Sequence, residues 1–279
     1  MRAYTLSAMN APPGLDPTAM RRQARRRARA EAPHFLQQAV ERGLLERLEP
    51  VRLEPRRIAV ADAGGSGVLF ALRSRFAQAE LLGFDDDPRA VDALAARIAP
   101  ARTGLLARLR IVRERPLATL AVAEPARLPL AAGSVDLVWS ALALHAQPQP
   151  DAQIAEWRRV LAPGGLVAFA CFGVDTLAEV RRLGARMQPF PDMHDLGDAL
   201  VAQGFAEPVV DTERLKVTWR EPATCLAEIR QWGGNPLADR FRGLLTPRHR
   251  REWHQAIESL RGPDCLIAVS VELIYGHAW

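Results

Sequence analysis

The sequence predicts an α/β protein built on a doubly wound, mostly parallel sheet. Short apolar segments typical of strands alternate with segments whose apolar residues recur at helical spacing. The first strand runs into a glycine-rich turn at 62–67, and the second ends in the acidic residue Asp85. Since neighbouring parallel strands need crossover connections, this alternation favours a parallel sheet.

The core elements are predicted one by one from their own patterns. The expected strands are 58–61, 81–84, 134–140 and 166–170. The expected helices are 68–76, 88–98 and 152–161, the last of them closed by Pro-Gly-Gly at 163–165. Another strand fits either 109–112 or 118–122. We favour the second segment, because Glu124 then lies at the carboxyl end of the strand, where ligands gather in such sheets.

The amino-terminal part divides into two predicted regions. Residues 1–20 are expected to be a disordered tail, and 21–50 to form basic and amphipathic helices, with apolar residues at helical spacing over 35–48. The arginine run at 21–29 has two interpretations. It contacts a phosphate backbone, an acidic protein or a membrane surface, or it is a solvated helix start.

We place the main core at 51–175 and a carboxy-terminal part at 176–279. Two long segments rich in Val, Ile and Thr, 209–219 and 266–275, predict an antiparallel strand pair that completes the sheet. Between them, 222–260 carries helical patterns. We expect this insert to form a lid over the substrate mouth.

Composition limits the function classes. The 279 residues are 48% hydrophobic and 25% charged, which is typical of a soluble globular protein, and no run of ~18 apolar residues suggests a membrane span. Three widely spaced cysteines indicate neither a disulfide framework nor a metal site and favour a reducing cytoplasm. The net charge is +5, but almost all cations are arginine, so this excess does not indicate a nucleic-acid partner. We expect a cytoplasmic monomer.

The glycine turn and the acidic strand end together predict a nucleoside site. Glycine has no Cβ, so Gly64, Gly65 and Gly67 let the backbone lie against a ligand. The Asp85 carboxylate then accepts hydrogen bonds from ribose hydroxyls. The alternative is an ordinary turn, because glycine runs of this kind are common.

Further motifs make a resemblance specific. Ser-Val-Asp-Leu-Val at 134–138 and Leu-Ala-Pro-Gly-Gly at 161–165, after the glycine loop and acidic strand end, resemble class I S-adenosylmethionine-dependent methyltransferases, which have a Rossmann-like seven-stranded sheet. Segments 172–181, 191–200 and 275–279 are similar to a narrower group, the malonyl-acyl-carrier-protein O-methyltransferases of biotin synthesis. The respiratory complex I assembly factors share two of these elements.

The resemblance implies S-adenosylmethionine as cofactor and assigns residues to it. The residues implied to bind the cofactor are Asp62, Gly64, Gly65, Gly67, Asp85, Asp86, Glu124 and Ser140. Asp85 would hold the ribose, Asp86 and Glu124 the adenine, and Ser140 would lie near the methyl donor. Asp86 and Asp87 are alternatively helix caps, and Glu124 a solvated loop residue.

The implied substrate is the free carboxylate of a malonyl thioester on acyl carrier protein. A carboxylate is ionised at neutral pH and needs no general base, so no catalytic residue is assigned. His145 and Tyr275 are the candidates for substrate binding, with structural roles as the alternative. Arginines of the insert would meet the acidic carrier protein, or are merely solvated. These arginines are Arg240, Arg242, Arg248, Arg250 and Arg251.

Three features depart from the family pattern. The glycine loop is one residue shorter than the usual Asp-x-Gly-x-Gly-x-Gly, Ala30-Glu31 stands where Tyr-Asp is usual, and an insertion interrupts 109–118. A shortened loop moves backbone N–H groups, and binding sites depend on their position. Two alternatives therefore remain beside the malonyl substrate: a non-catalytic binding or assembly protein of the same fold, and a methyltransferase acting on another small acid.

Overall fold

The computed structural model describes residues 14–16, 18–20, 35–99, 116–147, 149–230, 232, 235–240, 243 and 246–279. Within these residues, no helix is long and apolar enough to cross a membrane. The candidate strand 109–112, the arginine run at 21–29 and the Ala30-Glu31 pair all lie outside the described residues.

A single seven-stranded sheet organises the chain, as the resemblance implies. Its strand order is β3-β2-β1-β4-β5-β7-β6. The strands are β1 (Arg57–Ala61), β2 (Glu80–Asp85), β3 (Thr119–Val122), β4 (Val135–Ala141), β5 (Leu161–Phe172), β6 (Val209–Trp219) and β7 (Ile267–Ala278). The first five run parallel, and β7 pairs antiparallel with both β5 and β6. The chain thus reverses its strand order beside β1, where doubly wound sheets bind ligands.

Helices connect the parallel strands and cover both faces. They are α1 (Phe35–Arg47), α2 (Val68–Arg75), α3 (Pro88–Ile98), α4 (Pro150–Val160), α5 (Ala178–Arg182), α6 (Met193–Ala202), α7 (Pro222–Ile229) and α8 (Pro247–Glu258). Two short 3₁₀ turns, at Ala63–Gly65 and Leu144–Ala146, follow β1 and β4 directly. These turns bend the chain at the carboxyl edge of the sheet.

Side chains alternate along the strands and build one core on each face of the sheet. On one face, Leu44 of α1 and Leu72 of α2 belong to the same buried cluster as Trp139 of β4. On the other, Trp157 of α4 packs with Phe169 of β5, their ring centroids 5.7 Å apart. Because each large apolar side chain contributes ~1.5–3 kcal/mol on burial, these two cores fix the strands that carry the site.

Within the described residues, the predicted strands and helices of the core are confirmed, with several differences in extent. The third strand is Thr119–Val122, as favoured. β5 begins at Leu161, inside the predicted helix, because Leu161 already pairs with Val135 across a register shift. β7 ends at Ala278, beyond the predicted 275, since Ala278 still pairs with Val167.

The end of the predicted disordered tail differs from the expectation. Leu15 forms an isolated β-bridge with Leu237, and the Asp16 carboxylate accepts from Arg240 at 2.8 Å. The same carboxylate accepts the backbone N–H of Thr18, which begins a helical stretch at 18–20. These contacts order the segment through residues more than 200 positions away, which local sequence patterns do not reveal.

Candidate cofactor site at the carboxyl edge of the sheet

The glycine loop leaves β1 through a strained residue. Asp62 has φ 56° and ψ 47°, in the left-handed region that non-glycine residues rarely adopt. A 3₁₀ turn follows at Ala63–Gly65, and Gly67 is the N-cap residue of α2. The six residues from 62 to 67 thus turn the chain from the central strand into the first helix at the carboxyl edge.

Asp85, the last residue of β2, holds this loop directly. Its Oδ2 accepts the backbone N–H of Gly64 at 2.9 Å, and its Oδ1 accepts the N–H of Asp87 at 2.9 Å. A Cβ placed on Gly64 would lie 2.4 Å from the Cβ of Ala90 and 2.6 Å from Asp85 Oδ2. Only glycine therefore fits here, and what excludes a side chain is the protein's own carboxylate and the first turn of α3.

The next two acidic residues have different surroundings. Asp87 is buried and caps α3, accepting the N–H of Arg89 at 3.1 Å. Asp86 is exposed beside it. The cap interpretation therefore applies to Asp87, whereas Asp86 faces outward at the strand end where the adenine is expected.

Glu124 lies at the same edge, one strand further out. It is exposed, and its carbonyl accepts the N–H of Arg127 at 2.9 Å in a tight turn. The preceding Ala123 donates its N–H to the carbonyl of Asp85 at 2.9 Å. The ends of β2 and β3 are thus tied together, so two of the predicted cofactor residues occupy neighbouring strand ends.

Ser140 occupies the centre of the sheet near the end of β4. It pairs with Ala61 of β1 on one side and Phe169 of β5 on the other, and it is fully buried. Among the described residues its Oγ has no hydrogen-bond partner. Leaving a buried hydroxyl unsatisfied costs ~1–3 kcal/mol, so a ligand that reached Ser140 would find a hydroxyl ready to bond.

The turn after β5 is built around Glu272 of β7. Thr176 Oγ1 donates to the Glu272 carbonyl at 2.8 Å, and the Glu272 side chain accepts the N–H of Asp175 at 2.8 Å. A Cβ on Gly173 would lie 2.5 Å from Glu272 Oε2. A cavity of about 130 Å³ lies beside this turn, and Arg214 of β6 lines it.

His145 is packed into the edge rather than directed outward. It is 6% exposed, its ring centroid lies 4.4 Å from that of Phe172 and 5.6 Å from that of Phe190, and its Nδ1 accepts the Phe172 N–H at 3.4 Å. Its carbonyl accepts from the Gln188 side chain at 2.6 Å. These contacts hold the His145 ring among aromatic side chains at the end of β5.

Tyr275 contacts α1. It is 2% exposed, and the Arg47 guanidinium lies 3.7 Å from the centroid of its ring. A Cβ on Gly43 would lie 2.6 Å from the Tyr275 hydroxyl. Burial raises the pKa of this phenol above its ordinary value, so the group stays protonated. Its described contacts anchor α1 on the sheet, and they do not bring it to the glycine loop.

Comparison with known proteins decides the family. The model of a methyltransferase domain matches residues 62–169. A malonyl-[acyl-carrier protein] O-methyltransferase of Laribacter hongkongensis is 38% identical over 251 residues, covering 88% of this chain and 82% of the relative. The chain belongs to the malonyl-acyl-carrier-protein O-methyltransferase family. The family's protein from Halorhodospira halophila is 36% identical over 273 residues, covering 93% of this chain and 88% of that one.

Solved structures agree with the fold of this methyltransferase family. Phosphoethanolamine N-methyltransferase 2 of Haemonchus contortus, in complex with S-adenosyl-L-methionine, superposes with a TM-score of 0.53 at 14% identity. The match covers 98% of this chain and 58% of that chain. The predicted class I methyltransferase fold is confirmed, and family membership confirms the prediction of an S-adenosylmethionine-dependent methyltransferase.

The edge residues suit the family's cofactor. The Asp85 carboxylate accepts the N–H groups of Gly64 and Asp87, and a carboxylate is the acceptor type to which ribose hydroxyls donate. The buried Ser140 hydroxyl offers a second polar group two strands away. The structure therefore brings together the loop, Asp85, Asp86, Glu124 and Ser140 at one edge. Their binding roles stay predictions.

Two residues of this methyltransferase edge were missed in the sequence. Leu142 and Leu177 have φ of 60° and 58°, after β4 and β5 respectively. Leucine at positive φ costs roughly 1–2 kcal/mol, and such strain clusters at functional sites. Sequence gives no signal for it, because leucine does not mark a left-handed position as glycine does.

Proposed function

We propose that this protein methylates the free carboxylate of a malonyl thioester carried on acyl carrier protein, a step of biotin synthesis. The observation that carries the proposal is the bond between Asp85 and the glycine loop, within a chain whose relatives bear that activity in their names. The one-residue deletion has not separated the loop from the acidic strand end. The loop at 62–67 and Asp85 are therefore proposed to form a binding site for the cofactor, called the cradle below.

Each edge residue has a proposed role in the cradle. Asp85 binds the two ribose hydroxyls, and the loop at Gly64, Gly65 and Gly67 lies against the methionyl part. Asp86 and Glu124, at two neighbouring strand ends, would bind the adenine, and Ser140 would lie near the methyl donor. When bound, S-adenosylmethionine supplies an electrophilic methyl group, and the protein's own residues only hold and shield it.

The reaction needs positioning more than proton transfer. A malonyl carboxylate is ionised at neutral pH, so no side chain has to remove a proton from it. The protein aligns the attacking oxygen with the methyl carbon and its leaving sulfur, and it excludes water. His145, which packs against Phe172 and Phe190, shapes the substrate side of the proposed site.

The carrier protein is proposed to approach the helical insert. Arg250 and Arg251 of α8 are exposed and present positive charge to an acidic partner, while the exposed Arg248 pairs with Glu252 at 2.9 Å. Arg240 differs, because Asp16 pairs with it at 2.8 Å and its side chain is 18% exposed. Arg242 lies outside the described residues. We therefore propose that the carrier protein contacts α8.

The insert is also proposed as the lid of the site. Its described residues include α7 and α8, which pack together; α7 also packs on β6, and Trp219 of β6 donates to Glu228 of α7 at 2.9 Å. The location is proposed to be the cytoplasm. None of the three cysteines forms a disulfide, and this suits a reducing compartment; they are Cys171 and Cys225, both buried, and the exposed Cys265. We expect the protein to act as a monomer.

A matched set of acceptors tests the proposal. The protein is incubated with S-adenosylmethionine and malonyl-acyl carrier protein, and mass spectrometry follows the acyl group. Acetyl-acyl carrier protein, which lacks the free carboxylate, is the negative control, and malonyl-coenzyme A tests the need for the carrier. Methylation of the malonyl carrier alone, or far faster than of the coenzyme A thioester, supports the proposal. Methylation of neither malonyl compound contradicts it.

A further inference from the structure

A buried carboxylate from α1 touches the glycine loop. Glu41 is 6% exposed, because it lies on the face of α1 that packs on the sheet. Its Oε2 accepts the backbone N–H of Gly67 at 3.3 Å. Charged groups are almost never buried unless they are partnered, so the position of Glu41 calls for an explanation.

Among the described residues, the hydrogen-bond partners of Glu41 belong to the loop or to its own helix. Its Oε1 accepts from the Gln37 amide at 2.8 Å, and the Ser66 hydroxyl also faces it. The Ser66 Oγ in turn accepts the N–H of Val68 at 3.0 Å. Glu41 and Ser66 therefore satisfy the N–H groups of Gly67 and Val68, where α2 begins, and a carboxylate also complements the positive end of that helix.

Burial of this carboxylate carries a stability cost. Desolvation raises the pKa of Glu41 above its ordinary value of 4.5, against opposing hydrogen bonds from Gln37, Ser66 and Gly67 and the attraction of Arg97 on α3. The folded protein therefore binds this proton more tightly than the unfolded chain. Stability therefore falls as pH rises from 4.5 through the raised pKa.

We infer that Glu41 is a positioning residue of the cofactor loop: its carboxylate holds the shortened loop in the shape that binds S-adenosylmethionine. The loop is then fixed from both sides. Asp85 holds the N–H of Gly64, and Glu41 holds the N–H of Gly67. This inference rests on the proposed cradle, because Gly67 matters to catalysis only if the loop contacts the cofactor.

Glu41→Gln separates positioning from simple structural support. Glutamine keeps the shape and one acceptor oxygen but loses the charge, so the bond to Gly67 weakens and the cost of burying a charge disappears. We expect calorimetric titration at neutral pH to show an affinity for S-adenosylmethionine about tenfold lower. The thermal midpoint without cofactor should equal or exceed that of the wild type. Loss of binding with no loss of stability is a signature that a merely structural residue does not give.

The pH profile adds an independent readout. In the wild type, affinity should fall as pH decreases and Glu41 gains its proton, and this limb should be missing in Glu41→Gln. Glu46→Gln is the matched control, since Glu46 is exposed on the same helix and should leave both affinity and profile unchanged.

Three results would overturn the inference. Unchanged affinity in Glu41→Gln, with wild type binding normally, removes Glu41 alone and leaves the cradle in place. Tighter binding in the variant would mean that Glu41 competes with the cofactor for the loop. Absence of binding in the wild type would remove the proposed cradle and the role of Glu41 together.

Discussion

The Oδ2 atom of Asp85 and the backbone nitrogen of Gly64 lie 2.9 Å apart in a hydrogen bond that joins the end of β2 to the glycine loop. This bond joins two neighbouring strands' carboxyl ends, since β1 and β2 pair in parallel up to Ala61 and Phe84. The acidic side chain therefore positions the loop as well as presenting acceptors to a ribose. Its removal should affect both.

Asp85→Ala should weaken S-adenosylmethionine binding by ~1–3 kcal/mol, because the ribose hydroxyls lose a charged acceptor and the loop loses its bond to β2. Calorimetric titration measures the change. Glu54→Ala is the control for total charge, and we expect no effect from it because Glu54 is exposed before β1, at the other end of the strands. Equal affinity in wild type and a folded Asp85→Ala variant would remove Asp85 from the site.

Gly64→Ala should destabilise the protein by ~1–3 kcal/mol and lower cofactor affinity, because the new Cβ would lie 2.4 Å from Ala90 and the loop must shift. Gly197→Ala on α6 is the matched control. Its Cβ meets nothing within 4 Å, so alanine should be neutral or stabilising by ~0.5–1 kcal/mol. Denaturant unfolding measures both, and a Gly64→Ala variant as stable as the wild type would contradict the packing described for the loop.

Replacing both Arg250 and Arg251 by glutamine should slow association with the acidic carrier protein. The association rate should also depend less on salt concentration. Exposed charges are screened beyond ~8–10 Å at physiological ionic strength, so the steering they provide is lost as salt rises. Stopped-flow association rates at several salt concentrations give the comparison. Arg52→Gln is the control, because Arg52 is exposed just before β1, at the opposite edge of the sheet. A wild-type rate that does not vary with salt would exclude this docking mode.

Thiol labelling should report one reactive cysteine in the native protein and three after unfolding. Cys265 is exposed, whereas Cys171 and Cys225 are buried. Burial raises the pKa of Cys225 to about 12 and that of Cys171 further still, so neither forms the thiolate that reacts. Rapid native labelling of more than one cysteine would mean that the core around Cys171 or Cys225 opens easily.

The sequence predicted the elements whose signals are local. α3 has the predicted bounds because Pro88 starts it and Asp87 caps it, and β2 is an uninterrupted apolar run ending in Asp85. Features that depend on distant partners were missed. Leu15 reaches Leu237, and the pairing of Leu161 with Val135 starts β5 early.

The site was predicted by residue type more than by environment. The glycines and Asp85 can be recognised from sequence alone, because few residue types can form such a turn or accept hydrogen bonds from ribose hydroxyls. Glu41 is not, since a glutamate on an amphipathic helix is typical of a solvent-exposed face, and only the packing of α1 on the loop buries it. Similarly, His145 and Tyr275 carry groups that can bind a substrate. In the structure, however, His145 packs against Phe172 and Phe190, and Tyr275 contacts α1 through Arg47.

Calorimetric titration of the wild-type protein with S-adenosylmethionine decides whether the shortened loop still holds the cofactor, and every proposed role depends on that. The loop is bonded to Asp85 and to Glu41, so we predict saturable binding with one cofactor per chain, and weaker binding in the Asp85→Ala variant measured alongside. The contradicting result is no binding by the folded wild-type protein even at ~1 mM cofactor, which means a binding free energy weaker than about −4 kcal/mol. It would show that the loop does not hold S-adenosylmethionine.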